Sequence, residues 1–319
     1  MPFTKTIAQS ISGVINSYYK ITGVNIVPNT LTVSSAVGLT PGLNVLIIQM
    51  KGAGINSSNS SSFGNISSIG NAGNYEFNYI CGISGNNVLL QYQLLKSYDA
   101  AGFVQLIPVP QYTSVTIVDT VKPSPWNSVS GTGGVVVIRA SDTIFLNGPV
   151  DVSGKGFEGG FLSNYANCVW STNVTSYVLP VTPADPNTNG ARKGEGISDF
   201  IVSGEYGRGK QANGGGGGNN HNTGGGGGSN YGVGGNGGNR SNETFFACHG
   251  TNPGIGGLSL SAQGYTVANN RIFMGGGGGS GHQNNSVGTP GGNGGGIIIL
   301  LAKTIVSSGN KLLSNGTAP

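Results

Sequence analysis

Charged residues are the scarcest class in this chain: Asp, Glu, Lys and Arg make up 8% of 319 residues, against about 25% in ordinary soluble domains. The net charge of +4 comes from scattered bases. No basic run or basic helix tracks a phosphate backbone, which excludes nucleic acid as a partner. Long apolar runs are missing too. The longest, Ile297 to Leu301, is strand-sized and far below the ~20 residues of a membrane-spanning helix, so no insertion into a bilayer is expected. The opening residues Met1-Pro2-Phe3-Thr4-Lys5 lack the basic, apolar and small-residue regions of a secretory signal. The bias toward Ser, Asn, Thr and Gly, with little Lys or Glu, instead suits a secreted or surface-exposed protein whose mature start or fragment is in view.

The chemistry of catalysis is equally thin. Acids number 11, and none forms a close pair with a His or a second acid. Glu195, Asp199 and Glu205 are near neighbours in a polar stretch and read as solvated loop charges. No Gly-x-Ser-x-Gly elbow context, His-Glu-x-x-His or Cys/His nucleophile is present. Chance Gly-x-Gly-x-x-Gly matches lack the helix that a nucleotide site needs. Cys81, Cys168 and Cys248 have no metal-ligand spacing. Two states stay open for them: a Cys168 to Cys248 bridge, tying the middle segment to a long glycine-rich loop, or buried free thiols. The histidines also lack the spacing of a metal site. The expectation is a protein without enzymatic activity, cofactor or metal.

What the chain has in excess is glycine, 60 residues of it, beside an apolar content of 36% that suffices for a real core. From the start to about residue 122 the sequence reads as short strands, among them Asn44 to Met50, Tyr75 to Cys81, Val88 to Leu94, Phe103 to Val109 and Ser114 to Ile117. The Gly85-Asn86-Asn87 turn marks a hairpin. Lys122-Pro-Ser-Pro-Trp-Asn127 is the expected boundary. Beyond it, Gly133 to Gly148 can be laid over Gly295 to Gly309 with one deletion. Each copy is a glycine pair, an apolar strand, a polar turn and a second strand opened by Thr-Ile. The two copies are expected to pair as walls around the residues between them.

Those residues hold three pure runs, Gly214 to Gly218, Gly224 to Gly228 and Gly275 to Gly279, and two segments of period three, Gly234-Gly-Asn-Gly-Gly-Asn239 and Gly291-Gly-Asn-Gly-Gly-Gly296. Polyproline-II geometry has three residues per turn and no internal hydrogen bonds, so neighbours must satisfy every backbone group. Only glycine lets such neighbours approach on all sides. The pure runs are therefore expected inside a polyglycine-II bundle and the Gly-Gly-Asn segments at its edge, with Asn toward solvent. The expected fold is mostly β: a small barrel or sandwich over residues 1–122, then a β-walled glycine-rich domain over 128–319, its glycine block at about 204–296.

A ring sits three residues past the last glycine of each pure run: His221, Tyr231 and His282. The longest excursion, Asn239 to Met274, adds His249, Tyr265 and Arg271, with Phe245 and Phe246 as plugs of the loop. Exposed rings mixed with Asn, Gln and Arg offer stacking faces beside planar donors and acceptors, as a glycan or polar surface requires. These six residues are the candidate ligand-binding positions.

Two resemblances add to this. The segments Asn44-Val-Leu-Ile-Ile-Gln-Met-Lys-Gly-Ala53, Asn71-Ala-Gly-Asn-Tyr-Glu-Phe77, Leu89-Leu-Gln-Tyr-Gln-Leu-Leu95, Val104-Gln-Leu-Ile-Pro-Val-Pro-Gln-Tyr112 and Val152-Ser-Gly-Lys-Gly-Phe157 are similar to the N-terminal region of large Bacteroidetes surface proteins. That group is exported by the type IX secretion system and includes SprB-like gliding-motility adhesins. The likeness implies an extracellular, cell-surface filament tip that attaches to substrata or polysaccharides, with the type IX secretion and motility machinery as a further partner. The sorting domain and repeat array of that group do not fall within these residues, as is expected of a fragment of such a protein. Asp119-Thr-Val121 and Asp142-Thr-Ile144 match the group's short O-glycosylation pattern. The glycine runs, in turn, resemble the polyglycine-II bundles of phage tail-fibre tip adhesins and of the glycine-rich domain in the anaplastic lymphoma kinase receptor family. In the phage proteins the connecting loops recognise the host. The expected function is that of an adhesin. A structural cap or spacer, a phage receptor-binding adhesin and a carbohydrate-active β-helix enzyme are the alternatives.

Overall fold

The computed structural model of the chain describes residues 9–162, 175–179, 190–201, 203–219, 222–239, 251–265, 267–282 and 288–319. It divides into two compact units: Met1–Met50, Asn74–Lys155 and Gly296–Asn315 in one, and Lys51–Gly73, Gly156–Gly295 and Gly316–Pro319 in the other. Among the described residues, helix is confined to the 3-10 turns Ala100–Gly102 and Val267–Asn269. No helix there is long and apolar enough to cross a membrane. The fold is mostly β, as expected, but the units do not divide at residues 122–128. Strands on both sides of that segment share one unit because they pair with each other.

The first unit contains a closed antiparallel barrel, in the order Tyr19–Asn25, Thr30–Val33, Asn87–Leu90, Tyr75–Ser84, Asn44–Gln49 and Val104–Pro108. Period-two patterning specifies it: Leu31, Val33, Val88 and Leu90 turn inward from their strands, and Ile21, Val45, Ile47, Ile80 and Leu106 complete the core. The expected hairpin is present, with Ser84 opposite Asn87 across the turn and Gly85 at φ 57°, a conformation that favours glycine. The register shifts between Ile80 and Gly82. Cys81 sits at this bulge and is an exposed free thiol, which corrects the expectation of burial: Asn78 and Ile80 are the buried residues of this strand, and alternation turns Cys81 outward.

The same unit contains a stack of parallel strands. Val135–Ala140 pairs with Gln111–Tyr112 on one side and Ile297–Leu301 on the other; Thr143–Leu146 lies between Val115–Val121 and Thr304–Ser307. The internal repeat is thus a physical register. Val135 to Arg139 face Ile297 to Leu301 residue by residue, and Thr143 to Leu146 face Thr304 to Ser307 after a one-residue deletion. Val135 to Ile138 are all buried, the continuous apolar run of a strand covered on both faces. Val136, Ile138, Ile144, Leu146 and Val150 form the core with Val115 and Ile117. Two long excursions interrupt the stack. The barrel is strung between Gln9–Gly13 and Val115–Val121, which pair in parallel. Residues 156–295 are strung between layers that pair at Val150 and Leu312.

The glycine-rich unit is held by backbone hydrogen bonds whose partners repeat every three residues. Gly275, Gly278 and Gly281 donate to Gly295, Gly292 and Thr289; Gly276, Gly279 and His282 donate to Ser229, Gly226 and Thr223; Gly277 and Ser280 donate to Glu195 and Arg192. One run therefore addresses three neighbours, one on each face. The run Gly214 to Gly218 does the same: Gly215 and Gly218 donate to Gly277 and Ser280, Gly216 and Asn219 to Ile255 and Asn252, and Gly217 to Gly207. The partners thus recur every third residue, and each of these bonds runs outward to a neighbouring segment.

Close approach explains the glycine. Over Gly214 to Gly218 an added Cβ would strike backbone at every position. In the other two pure runs one position each has room, although Gly275, on the same face as Gly278, would meet Gly295 N at 2.8 Å. A Cβ at Gly227 would find its nearest atom at 3.4 Å and one at Gly278 at 3.5 Å, which is ordinary contact. At the edge, Asn236 and Asn293 do more than meet solvent: their Oδ1 atoms accept from Gly256 and Gly159 N–H, each at 2.9 Å.

Charge inside this unit corrects another expectation. Glu195 is buried, not solvated. Its Oε1 lies 2.7 Å from Lys51 Nζ and its Oε2 accepts from Glu158 N–H at 3.0 Å. Asp199 stands 3.7 Å from the same ammonium, and Glu205 pairs with Arg192 at 3.0 Å. Lys193 is also buried. Its ammonium donates to the carbonyls of Tyr177, Tyr206 and Gly207 at 2.7, 2.6 and 2.9 Å and lies 5.0 Å from the Phe63 ring centre. Burial pushes its pKa well below the ordinary lysine value, and the three carbonyls match its three donors.

Candidate functional site

Three of the six candidate ligand-binding residues come together. Tyr231, Tyr265 and Arg271 line one cavity of about 480 Å³ in the glycine-rich unit, with Asn230, Ala268, Ile272 and Phe273. Tyr231 stands two residues beyond Ser229, whose N–H is bonded to Asn213 in the lattice, so it leaves the array at a fixed point. Its carbonyl accepts from the hydroxyls of Ser259 and Ser261 at 2.6 and 2.7 Å. These bonds tie the end of the glycine run to the turn that carries Tyr265. That turn is closed by Tyr265 N–H donating to Leu260 O at 2.9 Å, and Leu260 N–H donates to Asn230 O at 2.8 Å. The ring of Tyr231 remains free to solvent, with the residue 77% exposed.

Arg271 is anchored from a distant part of the chain. Its guanidinium donates to Ala72 O, and the next residue, Ile272, donates its N–H to Gly73 O at 3.0 Å. Phe273 packs against Gly73, where positive φ and the ring leave no room for a side chain. Phe273 O in turn accepts from Asn230 Nδ2 at 3.0 Å. Burial lowers the Arg271 pKa from its ordinary value, and the nearby Tyr265 phenol opposes that shift. The result is a wall, anchored on backbone acceptors, that presents a cation and two phenols.

The remaining candidates fall elsewhere. His282 is buried, at 3% exposure, and its N–H donates to Thr223 O at 2.8 Å. It continues the three-residue register of its run, so the lattice covers it instead of displaying it. His221, His249, Phe245, Phe246, Cys168 and Cys248 lie outside the described residues. No group of three His, Cys, Asp or Glu among the described residues could hold a metal ion. The sequence reading missed Asn230, Ala268, Ile272, Phe273 and the Ala72 carbonyl. Gly73 offered a faint signal in its Asn-Ala-Gly-Asn turn, but nothing in the sequence linked that turn to Arg271.

No known protein family matches the sequence, and no curated protein matches it. Among solved structures, the tailspike protein gp49 from Pseudomonas phage LKA1 is similar over 44% of this chain and 24% of that one, with 15% identity and a TM-score of 0.20. The chain thus spans less than a quarter of that tailspike, and a likeness of this size carries no argument.

Proposed function

We propose that this chain is a non-enzymatic, extracellular adhesin whose glycine-rich unit is a polyglycine-II bundle, and that it attaches to a glycan or other polar surface through the cavity of Tyr231, Tyr265 and Arg271. The observation that carries the reading is that convergence. Two phenols and a guanidinium, from a run end and a long excursion, share one cavity beside an array held by repeating backbone hydrogen bonds. Such a site is largely formed before its ligand arrives, which lowers the ordering cost of association. The internal use of Glu195 and Glu205 by Lys51 and Arg192 supports a role other than acid–base catalysis. A surface location and a link to type IX secretion and motility machinery rest on the sequence resemblance alone.

The test is surface attachment of Tyr231→Ala and Tyr265→Ala variants beside the parent chain. Adhesion should fall at least tenfold with no change in melting temperature. Unchanged attachment would instead favour a structural cap or spacer, the reading that the three-faced glycine array supports by itself.

A further inference from the structure

Arg271 carries a charge that no described residue neutralises. The ion pairs among the described residues are Lys51 with Glu195 and Asp199, and Arg192 with Glu205. Of the five N–H donors of a guanidinium, the Arg271 fork has one engaged by Ala72 O. A half-buried cation beside a cavity is most stable when an anion completes it, and a planar fork suits a carboxylate, which can accept two parallel bonds. The rest of the cavity defines the bearer of that carboxylate. Tyr231 offers an open aromatic face. Asn230 spends its amide N–H on Phe273 O, which leaves its side-chain oxygen as an acceptor for a hydroxyl. Phe273, the largest apolar side chain lining the cavity, is 8% exposed and turned onto Gly73. It forms no deep apolar socket of the kind that anchors a peptide side chain.

We propose that the cavity binds an acidic saccharide, with a uronic-acid-type carboxylate on the free edge of Arg271 and a sugar face against Tyr231. This rests on the reading of the cavity as the attachment site and adds the class of ligand. A neutral glycan would occupy Tyr231 and leave the cation uncompensated.

Calorimetric titration of the full chain with an oligogalacturonide and with its methyl ester tests the assignment, since esterification removes the charge and keeps the ring. The acid form should bind about ten- to a hundredfold more tightly, the size of a charge-assisted hydrogen bond. Arg271→Gln should bring the affinities for acid and ester together, and Arg271→Lys should restore only part of the difference. Tyr231→Ala should weaken both forms by a similar factor. Equal affinity of acid and ester for the parent chain overturns the acidic-saccharide assignment. In that case a Tyr231→Ala loss for both forms leaves the adhesin reading standing. Binding of neither form overturns the assignment as well, and surface attachment by the tyrosine variants then decides the adhesin reading separately. Tighter binding of a poly-glutamate peptide than of the oligogalacturonide would also overturn it, in favour of a protein ligand.

Discussion

Two alanine substitutions, two residues apart in one glycine run, should have opposite effects. At Gly276 an added Cβ would lie within van der Waals overlap of Asn213 O, 2.6 Å from its carbonyl carbon and 3.0 Å from Gly214 N. These are backbone atoms and cannot rotate away, so the segments must part. Parting them strains three backbone bonds: Gly276 N–H to Ser229 O at 2.8 Å, Ser229 N–H to Asn213 O at 2.9 Å and Gly215 N–H to Gly277 O at 2.9 Å. At about 1 kcal/mol for each lost bond, with 1–3 kcal/mol for a buried group left unmade, Gly276→Ala should cost roughly 3–6 kcal/mol. At Gly278 the nearest atoms, Gly226 O and Gly292 N, are both 3.5 Å away. The backbone there is compatible with an L side chain, so Gly278→Ala should be neutral or stabilising by about 0.4–1 kcal/mol through the unfolded chain. Urea unfolding of both variants beside the parent gives the comparison. Equal destabilisation, or a harmless Gly276→Ala, would refute the three-faced account of the run.

Two further perturbations test the charges and the buried phenols. Lys51→Met leaves the Glu195 carboxylate buried without its cation and should cost about 3–5 kcal/mol, whereas Lys51→Met combined with Glu195→Gln should cost less than the two single changes summed; additive urea-melt values would show that the pair is not coupled. Burial raises the pKa of Tyr18 and of Tyr98 above the ordinary phenol value, with the Glu76 charge adding to the shift at Tyr98. The folded chain therefore keeps protons that the unfolded chain loses near pH ~10, and the stability they contribute, complete below that pH, should fall as pH rises beyond it. Tyr18→Phe together with Tyr98→Phe should flatten the alkaline limb of a stability–pH curve, and an unchanged slope would count against this origin.

The parts of the fold that could be read from the sequence are those written as periodicity. The copies at Gly133 and Gly295 set the strand register of the parallel stack, and the runs of glycine set the lattice. Strand alternation marked most of the barrel, although Tyr19–Asn25 and Thr30–Val33 were not marked because their inward positions are few and interrupted by Gly23 and polar residues. Charge burial was not legible. Glu195 looks solvated because its local sequence is polar, while Lys51, its counter-charge, is 144 residues away. His282 looks displayed because it follows a glycine run, yet the run's register continues through it. The same rule explains why Tyr231 stands exposed. The last backbone bond of its run is accepted by Asn230 from Leu260 N–H, so Tyr231, one residue on, is clear of the array.

That difference between Tyr231 and His282 shows how such an array makes a site. A segment bonded on three faces has no side chain to spare, so recognition has to begin where a face is left unbonded or the run ends. Tyr231 meets that condition at a run end, and its carbonyl is then recaptured by Ser259 and Ser261. Arg271 meets it because Ala72 and Gly73 hold the returning chain by backbone acceptors without covering the guanidinium. Glycine here supplies rigidity through enclosure, in contrast to the flexibility it gives a linker. A binding surface can then be carried on loops whose ends are fixed by backbone bonds on both sides of the cavity.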